Sequence, residues 1–236
     1  MHWFYTEDIE GGLARFDAQS AHHIVRVLRH RVGDLLYWTD GRGKVYEGVL
    51  KVADARGAVA EVRRIEEWCK PWRGTIHMGI CLLKQRVRME WLVEKLTEIG
   101  VDAIHLLHCH HCERTEVRVE KLRLRAQAAA LQSLKARFPA VYDVKGLDAF
   151  LSLGVDVRLI AHCRDGTLPA MGEVLDERLG ESYGVLIGPE GDFSADEIEE
   201  AAARGWVGVR LGGSRLRSET AALVACTALH LLAVGD

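Results

Sequence analysis

Short apolar runs separated by turn residues dominate the first 70 positions of the chain. Such runs are typical of short β-strands. The predicted strands span 34–40, 44–52 and 58–65, with a Gly-containing turn at 40–43. A helical stretch precedes them at 21–31, where Ile24, Val27 and Leu28 fall on one face at helical spacing. Short strands with close turns predict a small β-barrel over residues 1–70.

After a Pro- and Gly-containing linker at 66–74, apolar strands alternate with amphipathic helices. The predicted strands lie at 75–83, 104–108, 157–161, 183–187 and 207–211, and the predicted helices at 86–99, 121–137, 194–204 and 218–234. The third helix begins with a capping box formed by Ser194 and Glu197, and Ser218 is the predicted cap of the last helix. This alternation predicts an α/β fold, a parallel sheet covered by helices on both faces.

Composition is that of an ordinary globular protein, because 48% of the 236 residues are apolar and 28% are charged. This excludes disordered and collagen-like classes. The net charge of −3 by itself argues against a nucleic-acid partner, but the charge is unevenly distributed. Residues 1–72 hold 11 basic and 11 acidic residues, 73–140 hold 12 and 7, and 141–236 hold 8 and 16. A basic middle third is compatible with phosphate binding, since steering depends on local potential.

Nothing in the sequence marks secretion or a membrane span. The first residues lack the basic and apolar regions of a signal peptide. The longest apolar stretch, at 221–234, is shorter than the roughly 20 residues that a membrane helix needs. The six cysteines, at positions 69, 81, 109, 112, 163 and 226, are scattered through a chain large enough to fold without disulfides. These features predict a cytoplasmic protein with reduced thiols.

Two of the later predicted strands end in glycine-containing loops, at 187–194 and 211–220. Ligands of open parallel sheets bind beyond the carboxyl ends of strands, where glycine lets the backbone approach them closely. Tight turns between strand and helix are the alternative explanation, and for one loop alone the two are about equally good. Two such loops in one sheet favour a ligand. The Rossmann and P-loop fingerprints are both missing, so an adenine-containing ligand held largely by backbone amides is the remaining candidate.

A run of histidines and cysteines at 108–112 is a possible metal site, since Cys109 and Cys112 have zinc-like spacing. No second ligand pair follows at a suitable distance in the sequence. We therefore favour incidental residues on a loop, and predict no metal.

Charged residues accompany both glycine-containing loops. Glu190 and Glu219 are candidate bases or ligand acceptors, although Glu219 in a first helical turn is also explained by the helix dipole. The dipole disfavours Arg217 at a helix N-terminus, so Arg217 is more readily explained by an anionic substrate or partner.

The basic middle third contains a cluster of cations from Arg114 and Arg118 to Arg137. A solvated helix face is the usual explanation, but a second basic site in the predicted barrel favours an RNA partner. The candidate RNA-binding residues are His23, Arg26, Arg29, Arg114 and Arg118.

The sequence resembles the ribosomal RNA small subunit methyltransferase E family, among the knotted SPOUT methyltransferases. The resemblance runs nearly end to end. Its motifs are His23-Ile24-x-x-Val27-Leu28-Arg29, Arg88-Met89-Glu90-Trp91, Glu113-Arg114-Thr115, Ile187-Gly188-Pro189-Glu190-Gly191 and Leu216-Arg217-Ser218-Glu219-Thr220-Ala221. The chain departs from the family at Asp192-Phe193, Gly213-Ser214 and Gln85-Arg86-Val87, and the 108–112 run is not a family feature.

The resemblance implies a PUA-like, RNA-binding β-barrel at 1–70 and a SPOUT methyltransferase domain at 74–236, with a C-terminal trefoil knot that holds the cofactor. Pattern alone predicts an unknotted sheet, since true knots are rare. The implied activity is transfer of a methyl group from S-adenosylmethionine to uracil N3 in 16S ribosomal RNA, by a homodimer. The implied cofactor-binding residues are Ile187, Gly188, Pro189, Glu190, Gly191, Leu211, Gly212, Leu216, Arg217 and Thr220.

Uracil N3 carries a proton and becomes nucleophilic only when that proton leaves. We expect Arg217 to stabilise the developing negative charge on the base, and Glu219 or a water molecule to accept the proton. The substrate is either the free RNA or the assembled small subunit. Two other functions are weighed against this one: a non-catalytic RNA-binding assembly factor, and, last, a nucleotide-dependent oxidoreductase.

Overall fold

The chain folds into two units in the computed structural model, which describes residues 2–164, 167–177 and 180–234. The first unit contains the residues up to Lys70 together with Gln127–Phe138. The second contains Pro71–Ala126 and the residues from Pro139 onward. No described helix is both long enough and apolar enough to cross a membrane.

The first unit is built on one six-stranded sheet, in which most neighbours are antiparallel. Its elements are β1 (Trp3–Tyr5), β2 (Ile9–Glu10), β3 (Leu13–Phe16), α1 (Ala18–His22), β4 (Leu35–Thr39), β5 (Lys44–Asp54) and β6 (Gly57–Glu67). The strand order is β1-β4-β5-β6-β3-β2. Closing this sheet into the predicted barrel would require its edge strands β1 and β2 to pair, and they do not pair within the described residues. Phe16, Trp38, Leu50 and Ile24 form its buried core.

The helix predicted at 21–31 is wrong in extent and in kind. The α-helix ends at His22, and a π-helix, His23–Val27, continues it. In this segment the amide of Leu28 donates to the carbonyl of His23, five residues earlier. The wider turn moves each later side chain around the axis relative to α-helical spacing. As a result Ile24 is buried whereas Val27 is 57% exposed.

The segment 127–138 belongs to the first unit because it pairs with the turn at 40–43. The amide of Phe138 donates to the carbonyl of Gly41 at 2.9 Å, and that of Gly43 donates to Ala136 at 3.0 Å. Gly41 has a φ of 72°, and a Cβ there would lie 2.7 Å from the Phe138 ring. Glycine is therefore required by both the backbone and the packing.

The second unit contains one parallel sheet, as predicted, but the sheet has six strands where five were predicted. Its strands are β7 (Thr75–Cys81), β8 (Ala103–His108), β9 (Ala140–Gly146), β10 (Val157–Ala161), β11 (Ser182–Ile187) and β12 (Val207–Val209). Its helices are α2 (Arg86–Ile99), α3 (Val119–Gln132), α4 (Leu147–Leu151), α5 (Met171–Glu177), α6 (Ala195–Ala203) and α7 (Ser218–Leu229). The strand order is β12-β10-β11-β7-β8-β9, and every pairing is parallel.

Several predicted boundaries are confirmed and others are wrong. Helix α2 has the predicted bounds, and α6 begins with the predicted capping box on Ser194. Helix α3 ends at Gln132 rather than at 137, and Leu134 beyond it has a left-handed φ of 56°. The N-cap position of helix α7 is Arg217 rather than Ser218, and the Arg217 side chain makes no capping hydrogen bond.

The expectation of reduced thiols is wrong for one pair, since Cys81 and Cys109 form a disulfide. These two residues lie close together because β7 and β8 are neighbouring strands, and Cys81 lies opposite Leu107. The four cysteines outside this disulfide are Cys69, Cys112, Cys163 and Cys226. The sequence spacing of Cys81 and Cys109 did not reveal that they lie on adjacent strands.

Candidate functional site

The carboxyl ends of the parallel strands bring the two predicted loops to one edge of the sheet. Strand β10 lies between β11 and β12, with Ala161 opposite both Ile187 and Val209. The loop after β11 therefore lies one strand away from the loop after β12. This is the crevice in which open α/β sheets bind ligands.

The loop after β11 is held tightly from inside. Gly188 and Pro189 are buried, whereas Glu190 and Gly191 are exposed. The ring of Phe193 anchors the far end in the core. A Cβ on Gly188 would lie 3.2 Å from that ring, so this glycine permits close packing. The buried start and exposed tip leave part of the loop open to a ligand.

Asp192 connects three of the loops at this edge, a role that the sequence did not predict. It has a left-handed φ of 61°, a conformation that Asp tolerates better than most residues. Its carboxylate accepts hydrogen bonds from the amides of Cys163, at 2.9 Å, and Phe193, at 2.8 Å. Its carbonyl oxygen lies 2.9 Å from Nδ1 of His111. The loops after β10, β11 and β8 are thus joined through one residue.

Glu190 fixes the loop after β7 rather than facing solvent alone. Its carboxylate oxygens accept from the amide of Lys84 at 3.2 and 3.3 Å. The carbonyl of Lys84 accepts from Nε and Nη2 of Arg114 at 3.1 and 2.9 Å. The Lys84 ammonium pairs with Glu113 at 2.7 Å, and this hydrogen bond raises the pKa of Lys84. Two predicted site residues, Glu190 and Arg114, therefore support one backbone segment.

The loop after β12 is more open. Leu211 and Leu216 are half-buried, and Gly212, with a φ of 153°, is exposed. No described atom lies within 4 Å of the position that a Cβ on Gly212 or Gly213 would take. The loop backbone is accessible here, a requirement for binding by backbone amides.

Arg217 and Glu219 lie close in sequence but occupy different environments. Arg217 is exposed at the N-cap of α7, next to exposed Thr220. Glu219 is only 7% exposed, and its Oε1 pairs with Nη1 of Arg88 at 3.3 Å. Its Oε2 is buried without a hydrogen-bond partner among the described residues. Arg88 on α2 is the residue that sequence reasoning missed as part of the site.

The histidine and cysteine run at 108–112 makes specific contacts with neighbouring segments. The amide of His110 donates to Glu197 at 2.8 Å, and His111 contacts Asp192. A Cβ on Gly191 would lie 2.9 Å from Cβ of His111. The run therefore packs directly against the loop after β11.

Comparison with known families identifies the fold. A model described as the RNA methyltransferase domain matches residues 70–230, more than half of the chain. The chain belongs to this RNA methyltransferase family. A second model, the RNA methyltransferase PUA domain, matches residues 16–63. The resemblance seen in the sequence is confirmed, and the first unit contains a PUA-like domain.

Relatives of this RNA methyltransferase extend over nearly its whole length. The Ribosomal RNA small subunit methyltransferase E of Mycobacterium tuberculosis is 29% identical, with 97% of this chain and 91% of the relative covered. A crystal structure of a probable rRNA-methyltransferase from Porphyromonas gingivalis is 40% identical, with a TM-score of 0.91 and 98% of both chains covered. A Ribosomal RNA small subunit methyltransferase E from Neisseria gonorrhoeae, bound to S-adenosyl methionine, is 25% identical, with a TM-score of 0.86 and 99% of this chain and 98% of that chain covered.

All three basic residues on α3 of the RNA methyltransferase domain are paired with carboxylates. Lys121 and Arg125 pair with Glu90 of α2, and Arg125 also pairs with Glu94. Arg123 pairs with Glu120 and with Asp143. Arg118 is exposed and makes no ion pair within the part of the chain that the structure describes. Arg118 lines a small cavity of about 60 Å³. A separate open cavity of about 380 Å³ is lined by Lys84, Arg86, Glu113, Arg114, Thr115 and Glu116.

The candidate RNA-binding residues of the first unit are exposed as well. His23 and Arg26 lie on the π-helix, and Arg29 follows it with a left-handed φ of 60°. The rings of His23 and Phe4 are 6.0 Å apart. Their exposure leaves all three side chains available to a partner, and their role in RNA binding stays a prediction.

Proposed function

We propose that the protein transfers a methyl group from S-adenosylmethionine to N3 of a uridine in 16S ribosomal RNA. One observation carries this proposal. Two glycine-containing loops, one after β11 and one after β12, lie at the same edge of a parallel sheet. The chain that carries them is similar over nearly its whole length to Ribosomal RNA small subunit methyltransferase E.

The two loops suit an adenosine-containing cofactor. Space beside Gly212 and Gly213 leaves backbone amides free to bind it, and half-buried Leu211 and Leu216 offer apolar contact. When bound, the sulfonium supplies an activated methyl group. The residues proposed to hold it are Ile187, Gly188, Pro189, Glu190, Gly191, Leu211, Gly212, Leu216, Arg217 and Thr220.

Arg217 and Glu219 have different roles in the proposed methyl transfer. The exposed guanidinium of Arg217 stabilises negative charge as it develops on the uracil ring. The Oε2 atom of Glu219, buried without a described partner, accepts the N3 proton directly or through a water molecule. Arg88 holds the other carboxylate oxygen and so positions Glu219. The target base must be unpaired or flipped out, because N3 lies on its pairing edge.

The same resemblance supports three structural proposals. The C-terminal segment forms a trefoil knot around the cofactor site. A crystal structure of the complex with S-adenosylmethionine would test this directly. Two copies form a homodimer, which sedimentation would detect. Because the substrate is ribosomal, the enzyme acts in the cytoplasm. The PUA-like domain binds the RNA through His23, Arg26 and Arg29, and the methyltransferase domain binds it through Arg114 and Arg118.

Mass spectrometry of 16S ribosomal RNA from a deletion strain tests the activity. We expect loss of one N3-methyluridine, restored by the wild-type protein but not by Arg217→Ala. Arg215→Ala, which removes another exposed arginine of the same loop, is the matched control and should restore it. An unchanged modification pattern in the deletion strain would overturn the proposal. Calorimetry that detects no S-adenosylmethionine binding at millimolar ligand would favour a non-catalytic RNA-binding assembly factor instead.

A further inference from the structure

Three cysteine side chains meet beside the candidate site, and the proposed reaction uses none of them. Cys81 ends β7, Cys109 follows β8, and Cys112 lies three residues further on. Their three Sγ atoms all lie within 4.8 Å of one another. Cys81 and Cys109 are bonded, with Cα atoms 6.1 Å apart, an ordinary separation for a disulfide. The third thiol is therefore in reach of an existing disulfide.

The three sulfurs differ in their access to solvent. Cys81 and Cys109 are 0% and 2% exposed and lie in an apolar cluster that includes Leu107 and Phe193. Cys112 packs against the rim of this cluster and is partly exposed. Of the three cysteines, Cys112 is thus the most exposed residue, whereas the bonded pair is buried.

A tight turn places Cys112 next to Cys109. The amide of Cys112 donates to the carbonyl of Cys109 at 3.0 Å, and the amide of Cys109 donates to Sγ of Cys112 at 3.3 Å. This N–H partly offsets the effect of burial, which raises the pKa of the Cys112 thiol. The thiolate is the form that attacks a disulfide.

We propose that Cys81, Cys109 and Cys112 form a thiol–disulfide exchange site, in which Cys112 gives low-molecular-weight thiols access to the buried bond. The Cys112 thiolate attacks Sγ of Cys109. A Cys109–Cys112 bond forms, the Cys81–Cys109 bond breaks, and Cys81 leaves as a thiolate that takes up the proton lost by Cys112. The step moves the disulfide towards the surface without net oxidation or reduction.

An external thiol then completes the reduction. Its thiolate attacks Sγ of Cys112, forming a mixed disulfide and releasing Cys109 as a thiolate that takes up a proton. A second thiol displaces Cys112, so that two external thiols become one disulfide while the protein disulfide becomes two thiols. The reverse sequence, with a low-molecular-weight disulfide as oxidant, restores the bond. Disulfides in a reducing compartment are commonly of this transient type.

The rate of reduction by glutathione tests the exchange. The purified protein is oxidised with glutathione disulfide, treated with millimolar glutathione, quenched in acid, and its disulfides are mapped by mass spectrometry. We expect Cys112→Ser to slow reduction of Cys81–Cys109 at least tenfold. Cys163→Ser, which removes an exposed thiol outside the cluster, should leave the rate unchanged. Equal rates in the wild type and in Cys112→Ser would overturn the proposal.

A second variant tests the alternative pairing directly. With Cys81→Ser, glutathione disulfide should produce a Cys109–Cys112 bond, and failure to find it would count against the exchange. Three clustered thiols also resemble three of the four ligands of a soft-metal site. Stoichiometric zinc in the reduced wild-type protein would therefore overturn a redox role in favour of metal binding.

Exchange should also change the loop after β11, since the residues between Cys109 and Cys112 pack against it. His110 donates to Glu197, and His111 contacts Asp192. We expect the amides of 188–194 to exchange hydrogen at least threefold faster in the Cys81→Ser protein with its Cys109–Cys112 bond than in the Cys112→Ser protein with its Cys81–Cys109 bond. Identical exchange in the two forms would refute this coupling, and the measurement needs no cofactor.

Discussion

Two interactions account for the position of Glu219, one with its own helix and one with a residue distant in sequence. Its place in the first turn of α7 suits the helix dipole, as the sequence predicted. Burial beside Arg88 was not predictable, because 131 positions separate the two residues and no local pattern connects them. The ion pair leaves Oε2 without a described partner, and this atom is the one the proposed mechanism uses.

Removing Arg88 alone should lower the free energy of unfolding more than removing both charges. Arg88→Met leaves a buried carboxylate unpaired, and we expect it to lower the unfolding free energy by about 1–3 kcal/mol, below the range for a fully buried pair because Arg88 is partly exposed. Arg88→Met combined with Glu219→Gln should recover much of that loss. Urea unfolding measures both. A double variant no more stable than Arg88→Met would contradict the burial argument.

The pH dependence of disulfide exchange is also decided at one residue. Burial raises the pKa of the Cys112 thiol above its ordinary value of 9.0. Only the thiolate attacks, so its fraction, and with it the rate of glutathione reduction in excess reagent, should rise with pH. We expect the part of the rate that depends on Cys112 to keep rising above pH 9, where glutathione itself is largely ionised. A plateau below pH 8 would contradict a raised pKa.

At the scale of elements, periodicity predicted regular helices well and irregular segments poorly. Helix α2 has the predicted bounds because its apolar spacing and its terminal Gly100, with a φ of 126°, agree. The segment after His22 has the same kind of apolar spacing but forms a π-helix, which a period of 3.6 does not detect. Strands β1 to β3 and β9 were missed because they are short or largely exposed.

The contact between two loops makes a testable packing prediction. In Gly191→Ala the new Cβ would lie 2.9 Å from Cβ of His111, so one of the loops must shift. We expect a loss of about 1–3 kcal/mol in unfolding free energy and weaker S-adenosylmethionine binding. Gly154→Ala, where no described atom lies within 4 Å of the new Cβ, should change stability by less than about 0.5 kcal/mol. Calorimetry and urea unfolding compare the two, and equal losses would exclude the steric explanation.

At the scale of the whole molecule, alternating strands and helices predicted a parallel sheet but not its strand order. The order β12-β10-β11-β7-β8-β9 places β10 between the two strands that lead into the loops proposed to bind the cofactor. Several orders satisfy the same alternation, because each buried strand is apolar on both faces and fits several positions. The proposed knot is equally invisible in a periodic pattern.

Charge is the second property that only the folded molecule explains. Segment 73–140 carries 12 basic and 7 acidic residues, which suggested a phosphate-binding helix. Pairing of Lys121, Arg123 and Arg125 with carboxylates removes much of that attraction. The counts of basic residues in a segment therefore overstate its contribution to RNA binding. Unpaired and exposed cations are the relevant quantity.

Arg118 and Arg125 should consequently differ in their effect on RNA affinity. Each phosphate contact contributes roughly 0.7–0.9 to the slope of log K against log salt concentration. Arg118→Ala should lower affinity for a 16S ribosomal RNA fragment and reduce that slope by about one contact. Arg125→Ala should leave the slope nearly unchanged, since Glu90 and Glu94 already neutralise this guanidinium at 3.7 and 3.4 Å. Fluorescence anisotropy at several potassium chloride concentrations measures both slopes. A larger change for Arg125→Ala than for Arg118→Ala would show that the ion pairs open on binding, and that free charge in the unbound protein does not identify the RNA contacts.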